Sequence, residues 1–194
     1  MIYPMTINKT NATPKINREA CNKDKVTLDD LKKRVKFFSK HILGLEYFGR
    51  VEIVSNTVID ESSGDRKRRT YRGCFASDEE SYKSDLDAYY NEYKSLGKED
   101  SIRDSYIEIR RDILKDVVLL NDVLLHELIH YKNWYTGLDC EDGQAQFEDE
   151  LKKYKVSSNY IASYDNKHKK WIREINREAM IEYENLYQEW QSKN

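Results

Sequence analysis

The pattern of apolar and polar positions divides the chain into helical and extended stretches. Leu28, Leu31, Val35, Phe38 and Ile42 recur at helical spacing between Thr27 and Leu43. Thr27 is a natural N-cap, Asp29 and Asp30 place negative charge in the first turn, and Gly44 is the stop. Three β-type segments follow: Val51 to Ile59, rich in β-branched residues, Arg69 to Ala76, and the alternating run Ser105 to Arg110. The turn signal Ser62-Ser63-Gly64-Asp65 predicts that the first two segments form a hairpin. Asp78 to Leu96 reads as an inserted helix with Tyr82, Leu86, Tyr89 or Tyr90, Tyr93 and Leu96 along one stripe.

A strongly apolar helix is predicted from about Leu114 to about Tyr135, closed by Gly137, and a shorter one from Gln144 to Tyr154, with Phe147 and Leu151 inward. Lys167 to Trp190 predicts a long amphipathic helix bearing Trp171, Ile175, Ala179, Tyr183, Leu186 and Trp190 on one side, to cover the domain or to dock a partner. Residues 1–25, which hold both prolines and no periodic apolar pattern, read as a flexible leader. The expected division is therefore a leader (1–25), one domain (26–160) and a C-terminal amphipathic helix packed on it (161–194).

Candidate chemistry concentrates in the apolar helix, which contains His126-Glu127-Leu128-Ile129-His130. Two histidines four residues apart lie on one helical face and can reach one metal ion, while Glu127 is placed to take a proton from a water on that ion. The chain has only four histidines, so two of them bracketing a glutamate at ligand spacing stand out from chance. His41, at the end of the first helix, and His168, among lysines, read as structural and surface residues. An open catalytic metal site takes three protein ligands, and the third is expected from the loop and helix beyond Gly137.

Composition refines this picture. Charged residues make up 35% and the net charge is −2, which argues against a generic nucleic-acid binder. One local basic cluster, Arg66, Lys67, Arg68, Arg69 and Arg72 around Tyr71, reads either as a charged hairpin tip protected from edge pairing or as a phosphate contact. Cys21, Cys74 and Cys140 form neither a CxxC pair nor a disulfide framework, which points to a reducing cytoplasm. Neither a secretion signal nor a membrane segment is expected from the apolar runs.

The run Leu-Leu-His-Glu-Leu-Ile-His at 124–130, with the order helix, strands, HExxH helix and short helix over roughly 27–155 and the downstream Gly143, Phe147 and Glu148, resembles the SprT-like metalloprotease domain. That group takes in bacterial SprT proteins, phage relatives and the Spartan protease that degrades proteins crosslinked to DNA. The resemblance implies an α+β, minimal zincin-like fold: a small sheet packed on the HExxH helix, with an extra C-terminal helix. It implies Zn2+ held by His126 and His130, Glu127 as general base, and hydrolysis of a protein substrate through a zinc-activated water. The basic hairpin would be a DNA contact, and no membrane partner is implied.

The family usually supplies its third ligand as a histidine near the start of the helix after the loop, and this chain has none there. Glu148 and Gln144 are the expected substitutes, with Asp142 behind them. The four-cysteine zinc ribbon that many relatives carry is also missing. Two other readings stand beside this one: an ImmA/IrrE-like peptidase that cleaves repressors, and a degenerate zincin fold that binds without catalysis.

Overall fold

The computed structural model describes residues 26–59, 64–68, 71–77, 105–159, 163–165, 170–172 and 174–194. The leader 1–25, the inserted helix Asp78–Leu96, Ser62, Ser63, Arg69 and His168 lie outside the described residues. The first helix, α1, spans Leu28–Phe37 and continues as a π-helical turn over Phe38–Ile42. Thr27 caps it, its hydroxyl accepting the Asp30 N–H at 3.2 Å, and Gly44 ends the segment at φ +76°. Leu31, Val35 and Phe38 of the predicted stripe are buried, whereas Leu28, in the first turn, is exposed and Ile42 is half-buried.

The extended stretches pair differently from expectation. The predicted strand 51–59 is broken into β1 (Arg50–Val54) and β2 (Thr57–Ile59). Ser55 and Asn56 interrupt it because their side chains bond backbone groups: Ser55 accepts the Thr57 N–H at 3.3 Å and Asn56 the Asp112 N–H at 3.0 Å. The hairpin joins β2 to β3 (Arg66–Arg68), in antiparallel register Val58↔Lys67. The expected pairing of 51–59 with 69–76 is therefore corrected.

The main sheet has the order β1-β5-β4, where β4 is Gly73–Ser77 and β5 is Ser105–Arg110. β1 runs parallel to β5 (Val51↔Ile107) and β4 antiparallel to it (Phe75↔Ile107). β5 takes the centre because Ile107 and Ile109 are fully buried, and a strand covered by neighbours on both edges suits that composition.

A 3-10 turn at Ile113–Lys115 leads into α2, Val117–Thr136. Asp116 caps α2 by accepting the N–H groups of Val118 and Leu119, both at 3.1 Å, and Gly137 closes it at φ +71°. Leu120, Val123, Leu124, Leu125, Leu128 and Ile129 are all fully buried, and a helix apolar all round belongs in the middle of a fold. The sheet, through β4 and β5, the helix α3 (Ala145–Lys153) and the C-terminal helix α4 (Arg177–Lys193) pack around it.

The C-terminal helix is shorter than predicted. It starts after the cap Asn176, which accepts the Ala179 N–H at 3.1 Å, and residues 163–172 contain a two-stranded ladder of β6 (Ser163–Asp165) with β7 (Lys170–Ile172). Trp171 thus belongs to a strand rather than to the helical stripe. Helix α4 is clamped by Arg34, 3% exposed, which pairs with Glu184 and Asp30, donates to Asn121 Oδ1 at 3.2 Å and stacks on Tyr187 at 4.3 Å. The architecture is α+β. No helix among the described residues is long and apolar enough to cross a membrane.

Candidate metal centre

The helical spacing of His126 and His130 does what it predicts: their Nε2 atoms approach to 3.1 Å. His126 is fully buried and the His130 side chain is 14% exposed. Phe147 from α3 fixes both rings, stacked on His130 with centroids 4.1 Å apart and edge-on to His126 at 5.3 Å. Asp142, in the loop between α2 and α3, joins them, with Oδ1 at 3.2 Å from His126 Nε2 and 3.9 Å from His130 Nε2. Among the described residues, His126, His130 and Asp142 form the one cluster with metal-ligand spacing.

The other ring nitrogens determine what this cluster is. His126 Nδ1 lies 3.1 Å from the Ser157 carbonyl and His130 Nδ1 2.5 Å from the Cys140 carbonyl. A carbonyl oxygen only accepts, so in neutral imidazoles each Nδ1 carries the proton and each Nε2 presents a lone pair. Two lone pairs and a carboxylate oxygen therefore converge. Such an arrangement attracts a cation, and backbone carbonyls that fix the tautomer are a usual outer support of metal-bound histidine.

The spacing also fits. Zinc bonds of 2.0–2.2 Å in a tetrahedron place ligand atoms roughly 3.3–3.6 Å apart, against the 3.1, 3.2 and 3.9 Å found. Burial alone would raise the Asp142 carboxyl, but when a proton rather than a metal occupies the cluster, the hydrogen bond and charge of protonated His126, with Asn159 and His130, outweigh that and hold it at about 2. Asp142 is thus an ionised donor at neutral pH. The neighbouring Cys140 thiol is pushed up, first by burial and then by Glu141, so it stays protonated while its carbonyl serves His130.

Glu148 and Gln144 do not join the cluster. Glu148 Oε1 accepts the Gly143 N–H at 3.0 Å, and Gln144 Oε1 accepts the Glu141 N–H at 2.7 Å. Both carbonyl-type oxygens are drawn to unpaired N–H groups of the turn that opens α3, where a helix start needs acceptors. Glu127 stands outside the three-donor cluster, 5% exposed, with Oε2 accepting the Phe75 N–H of β4 at 2.9 Å. Gly73 permits this approach, since a Cβ there would lie 2.8 Å from Glu127 Oε1.

Several site residues had no reading from sequence. Asn159 Nδ2 lies 3.1 Å from both His126 Nε2 and Asp142 Oδ2, and nothing in the local sequence marks it. Gly73 and Ser157 are equally silent. Asp122 did carry a signal, being an acidic residue inside an apolar run one turn before His126.

The basic residues lie elsewhere: Arg66 and Lys67 are exposed on β3, Arg68 ends that strand, and Arg72 is exposed just before β4. Tyr71, among them, donates its hydroxyl to Glu108 Oε2 at 2.5 Å. No protein-family model, curated protein or solved structure matches the chain.

Proposed function

We propose that the chain is a zinc-dependent metallopeptidase of SprT-like, minimal zincin type, acting on peptide bonds of a protein substrate. The observation that carries this reading is the convergence of His126 Nε2, His130 Nε2 and Asp142 Oδ1, with both imidazoles tautomerically fixed from behind. A two-histidine, one-carboxylate set leaves a coordination position open, as a hydrolytic zinc site requires. Zinc held there would supply a Lewis acid and bring the pKa of a water towards neutrality.

The chain's own residues supply the rest. Glu127 adjoins His126 and lies outside the donor set, which suits a group that moves protons rather than one that ligates. Its Oε2 is steered by the Phe75 N–H, so the carboxylate is oriented by β4 before substrate arrives. Phe147 packs against both imidazoles and holds their ring planes. The exposed Arg66 and Lys67 suit a substrate associated with phosphate, DNA above all, in the cytoplasm.

The test is elemental analysis of purified protein together with a Glu127→Gln variant assayed on an unfolded protein substrate. One zinc per chain in both, with hydrolysis reduced about 10²–10⁴-fold in the variant, is the expected result. A chain that takes up no zinc would be a fold kept for binding. Iron at that stoichiometry would instead indicate oxygen chemistry at a two-histidine, one-carboxylate site.

A further inference from the structure

Asp122 lies four residues before His126 on the same face of α2, and it is fully buried. A buried carboxylate inside an apolar helix is costly unless its oxygens are satisfied. Ser157 satisfies both, donating its backbone N–H to Oδ1 at 2.9 Å and its hydroxyl to Oδ2 at 2.5 Å. The carbonyl of the same Ser157 accepts the Nδ1–H of His126 at 3.1 Å. One turn of α2 thus grips both ends of residue 157, through Asp122 at its N–H and through His126 at its carbonyl.

The two ends belong to different peptide units, so Asp122 acts on His126 by fixing where the carbonyl stands. The blander account is that Asp122 merely anchors the chain leaving α3. That anchor already exists: the Val156 N–H bonds the Leu151 carbonyl at 2.9 Å and the Val156 side chain is buried. What Asp122 adds is the placement of one acceptor, and that acceptor selects the tautomer of a proposed metal ligand.

We propose that Asp122 and Ser157 are positioning residues for the metal centre: Asp122 pins Ser157 so that its carbonyl holds His126 with Nε2 unprotonated and turned towards His130 and Asp142. This rests on the metal-centre reading above. Carboxylates usually support a ligating histidine by bonding it directly. Here a serine stands between them, and its hydroxyl gives the carboxylate a second hold.

The experiment uses the full chain and three variants: Asp122→Ala, Asp122→Asn and Ser157→Ala. Two quantities are read: zinc affinity by competition with a chelator, and the imidazole 15N resonances of His126 in zinc-free protein. In the unmutated chain the resonances should report the Nδ1–H tautomer. Asp122→Ala should lower zinc affinity by about 10–100-fold, the usual cost of losing such a support, and should release the tautomer.

Asp122→Asn should recover most of both, because an amide still accepts the Ser157 N–H and can donate to its hydroxyl. Ser157→Ala, which keeps the N–H, should fall between. A folded Asp122→Ala protein with unchanged affinity and tautomer overturns the proposal, as does an Asn variant no better than Ala. Should Asp122→Ala not fold, an unchanged tautomer in Ser157→Ala overturns it equally. Absence of zinc uptake by the unmutated chain sinks the metal-centre reading instead, while the tautomer, measured without metal, still decides the positioning role.

Discussion

Replacing Asp142 by Ala should remove most of the stabilisation that zinc confers, whereas replacing Glu148 should leave it intact. A ligand that binds only the folded chain stabilises it by RT ln(1 + [L]/Kd), about 2.7 kcal/mol at a hundred times Kd. In a protein of this size each kcal/mol moves Tm by about 2–4 °C, so zinc at that excess should raise it by about 5–11 °C.

Asp142 provides one of three converging donors and its carboxylate is ionised. Loss of an outer support alone typically weakens metal binding 10–100-fold, so loss of a donor should cost about a hundredfold or more. At the same free zinc the site would then stand near its Kd, where the stabilisation is about 0.4 kcal/mol and the shift about 1 °C.

The metal-free protein should lose about 1 kcal/mol, because Asp142 accepts the Asn159 amide at 3.1 Å and lies beside His126, so the comparison is of the zinc-induced shift within each variant. Glu148→Ala should behave in the opposite way. It deletes an acceptor for the Gly143 N–H, at a cost of about 1 kcal/mol with or without zinc, and the zinc-induced shift survives. The assay is calorimetric melting at fixed free zinc and again with chelator. A full zinc shift in Asp142→Ala, or its selective loss in Glu148→Ala, would refute the assignment of the third donor.

Two further predictions concern the framework. Glu184→Ala breaks a partly buried pair with Arg34, which keeps Asp30, and should cost about 1.5–3 kcal/mol in urea unfolding at pH 7, and a cost below about 1 kcal/mol would contradict the clamp. Burial raises the Glu184 carboxyl, but the hydrogen bond and charge of Arg34, with Asn121 and Gln188, outweigh it and leave it below its ordinary value. The unfolded chain then binds the proton more tightly, so this contribution is complete above the ordinary glutamate pKa and fades as pH falls through the lowered one. The variant should therefore show a flatter loss of stability in acid than the unmutated chain. Gly73→Ala puts a Cβ 2.6 Å from Val123 Cγ1 and 2.8 Å from Glu127 Oε1, so β4 must shift, at about 1–3 kcal/mol. Hydrolysis should fall with zinc content unchanged, and full activity would show that β4 does not orient Glu127.

What was legible in the sequence is what depends on near neighbours. The i, i+4 spacing of His126 and His130, the Thr27 cap, Gly137 as the stop of α2 and the inward Phe147 all follow from helical geometry. The candidate third donor, Asp142, ranks behind Glu148 and Gln144 on sequence grounds, because position after the loop and helix face favour those two, while the opening turn of α3 has prior use for an oxygen of each. Asp142 meets the histidines only through the path of the loop, whose backbone turns at Gly143, φ +86°. Strand pairing failed for a related reason. Alternation marks a strand but not its neighbour, and the most buried strand, β5, displaced the local hairpin and separated β1 from β4. The cut at Ser55–Asn56 and the late start of α4 at Asn176 were both written in polar side chains that bond backbone N–H groups.

The Arg34 clamp and the histidine cluster answer to different demands, and this gives the candidate metal site its expected behaviour. The Arg34 clamp ties α1, α2 and α4 together through Asp30, Asn121, Glu184 and Tyr187, none of which touches the histidine face of α2. The histidine face is instead met by two loop segments, one delivering the Cys140 carbonyl and Asp142, the other the Ser157 carbonyl and Asn159. The two carbonyls meet the Nδ1 atoms, whereas the Nε2 atoms meet one acceptor, Asp142, and one donor, the Asn159 amide, whose nitrogen lies 3.1 Å from both His126 and Asp142. A cation would satisfy both Nε2 lone pairs and Asp142 at once and would bind the first loop directly to the helix. Because the clamp holds without it, stripping the metal should loosen the site before it unfolds the chain, which is why a shift of several degrees, rather than collapse, is the signature to look for.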